Sequence, residues 1–179
     1  MVSANKIYNM GRCITKLKKR MKNKLANLAF GELVSVAIFW INFFLFKKFL
    51  IDTKSLVSIS APLFILSFIL VQGSIFWCIL IKRLSNPSFA VGLTGKIYNK
   101  LKLLNLILLF VVFLLIVLNY STFSIMLISL AIWIFAVIEW VNYYKLQLSY
   151  SINPTVLLRY VLQKKLKKSK IAEEIEKSR

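Results

Sequence analysis

The chain has no histidine and only two cysteines in 179 residues. The missing histidine removes the commonest general base and the commonest metal ligand. Cys13 and Cys78 are too widely separated to build a zinc site. One precedes the first apolar run and the other falls inside the second, so no disulfide is expected. Acids number six against 25 basic residues, and no two of them have metal-site or glycosidase spacing. Gly92-Leu-Thr-Gly95-Lys96 looks like a phosphate loop, but Ala90 stands where the first glycine belongs. Ile97 also replaces the Ser or Thr that would hold magnesium. Gln72-Gly73-Ser74 does not form a nucleophile elbow. We therefore expect no catalytic residues, no cofactor and no metal. Scarce Ala and Gly beside abundant Lys, Ile, Asn and Phe point to an AT-rich bacterial genome.

What the chain has is length of apolar sequence. Hydrophobic residues make up 59% of it, with 14 phenylalanines, against a soluble norm nearer 45–50%. Four runs stand out, at about 33–51, 57–81, 103–120 and 122–144. About 20 residues of helix cross a ~30 Å hydrocarbon core, and each run meets that length with some tilt or snorkelling. Backbone in lipid must satisfy its own hydrogen bonds, so the runs are expected to be helices. A β-barrel would need short alternating segments, and none is visible. A soluble bundle would need a polar face on each helix, and Leu106 to Leu118 has none. The predicted fold is an all-α membrane protein with four transmembrane helices and basic amphipathic N- and C-terminal helices. Its parts are a basic leader (1–32), the bundle (33–144) and a basic, partly helical tail (145–179).

The charges are unevenly placed. Residues 1–32 carry eight cations, the segment from Lys82 to Lys102 five, and the tail from Lys145 nine. The opposite segments carry Lys47, Lys48 and Lys54 in one case and nothing in the other. This positive-inside pattern predicts a bacterial cytoplasmic membrane protein with both termini in the cytoplasm. Lys47 and Lys48, near a helix end, can snorkel to the interface. Trp77, Tyr120, Trp140, Tyr143 and Tyr144 suit an aromatic belt. The leader is too long for a signal-peptide n-region, so the first span is expected to be retained.

Both flanks read as amphipathic. Ile7, Met10, Ile14, Leu17, Met21, Leu25 and Leu28 recur at spacings of three and four, with Lys16 to Lys24 supplying cations between them. We expect an anchor on anionic inner-leaflet lipids, continuous with the first span; a docking seam for a partner is the alternative. In the tail, Asn153 and Pro154 suit a helix start, and Val156, Leu157, Tyr160, Val161 and Leu166 make an apolar face. Acids follow the cations of Lys164 to Lys170, so nucleic acid is not the expected partner. Lys6-Ile-Tyr-Asn9 recurs as Lys96-Ile-Tyr-Asn99, a faint internal echo.

The candidate site is the thin polar set inside the spans: Glu139, Asn142, Tyr143, Glu32, Gln72 and Asn105. Glu139 lies about 9 Å along its helix from Lys145, and Asn142 and Tyr143 share its face. It either pairs with Lys102, Arg83 or Lys145 to fix helix rotation, or serves a polar pocket as a proton carrier or cation grip. Gln72, Asn105 and Asn119 are expected to bond between helices, and Ser60, Ser67, Ser74 and Cys78 to form a packing seam.

The stretch Ile138-Glu139-Trp140-Val141-Asn142-Tyr143-Tyr144, followed by Leu148-Ser149-Tyr150, resembles small membrane proteins of low-GC Gram-positive bacteria. Gly31-Glu32 and Gln72-Gly73-Ser74 match the same proteins, as do the basic start and Lys-rich tail, so the resemblance spans most of the chain. These proteins are loosely labelled general stress protein and carry no assigned activity. Trp140 stands for their usual Tyr and Gln147 for their usual Arg. If that Arg pairs with the Glu, this chain has lost the partner. The expected function is a non-enzymatic interaction or accessory protein of the membrane, with a homo-oligomer or a membrane-protein partner. A small oligomeric transporter or channel protomer is the alternative, and a membrane-embedded enzyme acting on lipid the third.

Overall fold

The computed structural model describes residues 2–49, 52–146 and 168–178, with side chains from residue 15 onward. The leader's first apolar positions and Cys13, the tail from Asn153 to Leu166, and Gln147 lie outside the described side chains. Helix α1 runs Val2–Phe46, α2 Thr53–Ser85, α3 Leu93–Leu118, α4 Phe123–Tyr144 and α5 Lys170–Lys177. Four of these, α1 to α4, are long and apolar enough to cross a membrane.

α1 is one helix through both the leader and the first apolar run. Its 45 residues span ~68 Å at 1.5 Å per residue, about twice the hydrocarbon thickness. Nothing in the sequence breaks it until Lys47, where a short 3-10 turn follows. Leu25 and Ala29 are buried, and the Ser74 hydroxyl donates to the Ala29 carbonyl at 3.0 Å. The bundle contact on α1 therefore begins before the predicted start at Leu33.

α2 is the central helix. Half of its most apolar 18-residue window is buried, against 6% in α1, 22% in α3 and 17% in α4. It touches all three. Small residues permit the close approach that lipid-embedded helices need. The Trp40 indole donates to Ser67 Oγ at 3.0 Å, and Ser58 Oγ donates to Ser129 Oγ at 3.1 Å. Of the expected seam, Ser67 and Ser74 do face α1. Ser60 bonds within its own helix, and Cys78 is exposed. Pro62 lies buried inside α2; neighbouring helices and hydroxyls make such interruptions tolerable in a membrane.

α3 and α4 form a hairpin across a short turn. Asn119 ends α3 by donating its side chain to Leu115 O at 2.9 Å. It therefore caps its own helix and does not bond between helices. The Trp133 and Trp140 indoles donate to the carbonyls of Leu109 and Lys102 at 2.9 and 3.3 Å, fastening α4 along α3. The outer face of α3, including Leu106, Ile107, Phe110, Leu114 and Val117, is exposed and apolar. Soluble monomers seldom carry so continuous an apolar face; lipid removes the cost.

Residues 25–32 of α1, the start of α3 and the ends of α2 and α4 meet at one end of the bundle, where the cations gather. α5 docks there. Ser169 caps it by accepting from Ala172 N at 3.0 Å. Its hydroxyl also donates to Tyr143 O. Ile171 and Ile175 are buried beneath it. Arg83 Nη1 pairs with Glu174 Oε2 at 2.8 Å. The same guanidinium donates to Phe89 O, Ala90 O and Thr94 Oγ1, so it holds both α5 and the α2–α3 loop. Ala90 in that loop has a positive φ of 53°, a strained state for a residue with a Cβ.

Candidate functional site

The six polar residues expected inside the spans separate into two groups. The first is a closed hydrogen-bond network. Gln72 and Asn105 exchange amides, Nε2 to Oδ1 at 3.2 Å and Nδ2 to Oε1 at 2.7 Å. Tyr144 donates its hydroxyl to Gln72 Oε1 at 2.7 Å and accepts from Asn105 Nδ2 at 3.3 Å. Tyr98 donates to the Gln72 carbonyl at 2.7 Å. All four residues are buried, and each amide meets its complement. The network locks α2, α3 and α4 in register and presents no group to a ligand. This bears out the interhelical reading of Gln72 and Asn105. Tyr144 and Tyr98 were not expected in it.

The second group lines a cleft between α1 and α4. Glu32 sits on α1, one turn beyond Leu28. Its Oε1 accepts from Trp77 Nε1 at 2.7 Å and from the Tyr143 hydroxyl at 2.5 Å. Its Oε2 is buried and meets no hydrogen-bond donor among the described residues. Glu139 and Asn142, one turn apart on α4, share the cleft, and Asn142 Nδ2 donates to Glu139 Oε2 at 3.4 Å. The cleft holds about 370 Å³, and Phe39, Leu70 and Phe135 give it apolar walls. Phe39 and Phe135 touch edge to face with centroids 6.2 Å apart. A smaller cavity of about 80 Å³ continues from Glu32 past Trp77 to Ser169, Lys170 and Ile171 at the start of α5.

Two of the three cations expected to pair with Glu139 are engaged elsewhere. Arg83 meets Glu174, and Lys145 lies 5.5 Å from the Trp140 ring. Among the described residues neither Glu32 nor Glu139 forms an ion pair. Lys170 lines the smaller cavity together with Glu32, its ammonium 5.9 Å from the ring centroid of Trp77.

Asn142 and Tyr143 were expected beside Glu139 from helical spacing, and both line its cleft. Tyr143 reaches across to Glu32 as well. Trp77 was expected in an aromatic belt; its indole instead donates to Glu32. The signal for that contact is the antiparallel pairing of α1 with α2, which a single helical wheel does not carry. No group of three or more His, Cys, Asp or Glu able to hold a metal occurs among the described residues.

Comparison with known protein families, with curated proteins and with solved structures finds no match to this chain.

Proposed function

We propose that this multi-pass membrane protein is a non-enzymatic binding protein of the bacterial cytoplasmic membrane, and that its α1–α4 cleft receives an amphipathic organic cation. One observation carries the reading: Glu32 Oε2 is buried without a donor in a cleft shared with a second carboxylate, Glu139. A carboxylate at membrane depth is costly unless something meets it. An amine between Glu32 and Glu139 would meet both. The aromatic and aliphatic walls suit an apolar body attached to it, since ligand sites pair a mostly apolar lining with a few placed polar groups. The bacterial host and the stress-related role rest on the resemblance in the α4 stretch. The threading rests on the distribution of Lys and Arg.

The test is binding of dodecylammonium, whose N–H groups can donate to both carboxylates, to the purified protein by calorimetry in neutral detergent. The Glu32→Gln, Glu139→Gln double variant should bind at least about tenfold more weakly, a loss of ~1.4 kcal/mol. Glu176→Gln, on exposed α5 surface, should leave affinity unchanged. Equal binding by the double variant and the parent overturns the proposal.

A further inference from the structure

A second groove lies on the opposite flank of α2. Val71, Ile75, Cys78 and Lys82 follow at spacings of four, three and four, which places them on one face of the helix. Ile75 and Cys78 are exposed along it. Leu33 of α1 forms the facing wall, and Phe89 of the α2–α3 loop closes the basic end. The groove holds about 370 Å³ and contains no acid. Its one hydroxyl, on Ser74, is already committed to the Ala29 carbonyl.

Two features define the occupant. The first is length. From Val71 to Lys82 the helix advances ~16 Å at 1.5 Å per residue, close to the ~15 Å depth of one bilayer leaflet. The second is the placement of charge. Lys82 and Arg83 are neighbours in sequence but point to different sides. Arg83 is neutralised by Glu174. Lys82 forms no ion pair among the described residues and sits with its ammonium 4.6 Å from the centroid of Phe89. The aromatic face holds that cation at the groove's end. An apolar channel of single-leaflet length, ending in a positioned and unneutralised ammonium, complements one lipid chemistry.

We infer that this groove is a binding site for an anionic phospholipid, with one acyl chain along Val71, Ile75 and Cys78 and the phosphate on Lys82. A zwitterionic lipid would fill the same channel but bring its own cation to Lys82. The inference is independent of the α1–α4 cleft and shares no lining residue with it.

Delipidated full-length protein in neutral detergent, titrated with phosphatidylglycerol and phosphatidylcholine of matched chains, tests it by native mass spectrometry. The parent should retain one phosphatidylglycerol about fivefold more tightly than phosphatidylcholine, the ratio expected for one surface cation. Lys82→Gln should abolish the preference. Ile75→Trp, at an exposed position that leaves the core intact, should block retention of both lipids. Lys100→Gln, which removes a cation outside the groove, should behave as the parent. Equal retention of the two lipids by the parent, a preference that survives Lys82→Gln, or retention unaffected by Ile75→Trp each overturns the assignment.

Discussion

Tyr143 donates its hydroxyl to Glu32 Oε1 at 2.5 Å, joining residues 111 positions apart. Trp77 donates to the same oxygen at 2.7 Å. One carboxylate oxygen thus gathers donors from α2 and α4 onto α1. The other oxygen is buried and meets no donor among the described residues. Substitution can therefore separate the structural role of the first oxygen from the binding role proposed for the second.

Glu32→Gln keeps an acceptor for both donors, so it should fold with almost parental thermal stability in detergent. Glu32→Leu removes the acceptor and strands an indole N–H and a phenol at membrane depth. Interhelical hydrogen bonds in membranes average about 0.6 and reach about 1.7 kcal/mol. The loss should fall at ~1–3 kcal/mol, read as a lower unfolding midpoint. If Glu32→Leu is as stable as Glu32→Gln, the carboxylate does not organise this junction.

Gly73 sets how closely Tyr143 can lie to α2. A Cβ at residue 73 would come within 2.5 Å of Tyr143 Cζ and 2.6 Å of its hydroxyl oxygen. Gly73→Ala must therefore displace the ring that reaches Glu32. Overpacking a filled site costs about 1–3 kcal/mol. The expected result is a destabilised protein in which a further Tyr143→Phe change adds little, because the hydrogen bond is already broken. Full additivity of the two changes would show that the ring has another route to Glu32.

The Gln72–Asn105 exchange lends itself to a double-mutant cycle. Each single change to Leu leaves a buried amide half-satisfied, and the double change removes both. The double change should cost less than the sum of the two single changes, by about 0.6–1.7 kcal/mol. Zero coupling would mean that Tyr144 and Tyr98 carry the register unaided.

The helices and the polar set were legible in sequence for a simple reason. In lipid, an apolar run of sufficient length has one backbone solution, and a polar residue inside such a run is conspicuous. What the polar residues bond to was less legible. Gln72 and Asn105 bond between helices as expected, and they do so to each other because amides buried in a bundle have few alternatives. Glu139 did not find Lys102, Arg83 or Lys145, although its cleft lies toward the same basic end of the bundle: Lys145 lies over the Trp140 ring, and Arg83 meets other partners at that end. There Arg83 serves α5 and a strained loop. α5 is separated from α4 in sequence by residues 147–167, which lie outside the described residues. A pattern of Ser169, Ile171, Glu174 and Ile175 over eight residues cannot announce its docking on its own. The continuous α1 was also hidden, because a change of composition near Leu33 marks a change of surroundings and not of backbone.

Release of α5 should follow from breaking its ion pair. Arg83 and Glu174 are largely buried, with side-chain exposures of 12% and 17%. Removing one partner of such a pair leaves a charge uncompensated, at a cost of about 3–5 kcal/mol in well-buried cases and less here. Glu174→Gln should detach α5 alone, seen as faster amide hydrogen exchange in residues 170–177. Arg83→Gln should in addition loosen the α2–α3 loop, because three loop and α3 acceptors lose their donor. Identical exchange patterns for the two variants would contradict this division.

The threading prediction has two separable parts. The antiparallel packing of α1 to α4 puts the α1–α2 turn and the α3–α4 turn at one end. The α2–α3 loop and α5 lie at the other. Reporter fusions at Lys54 and Ser121 must therefore agree with each other, whichever side they report. Fusions at Ser88 and Arg179 must report the opposite side. Charge then sets the sign. The end that holds the leader, the segment from Lys82 to Lys102 and the tail carries 22 of the 25 basic residues, from counts of eight, five and nine. That bias predicts that this end stays in the cytoplasm. Lys54 and Ser121 should report outside, and Ser88 and Arg179 inside. Disagreement between Lys54 and Ser121 would contradict the four-helix packing itself. Agreement with the sign reversed would leave the packing intact and remove the charge argument. It would also turn the acidic cleft and the Lys82 groove, which both lie toward the basic end, to the outer leaflet.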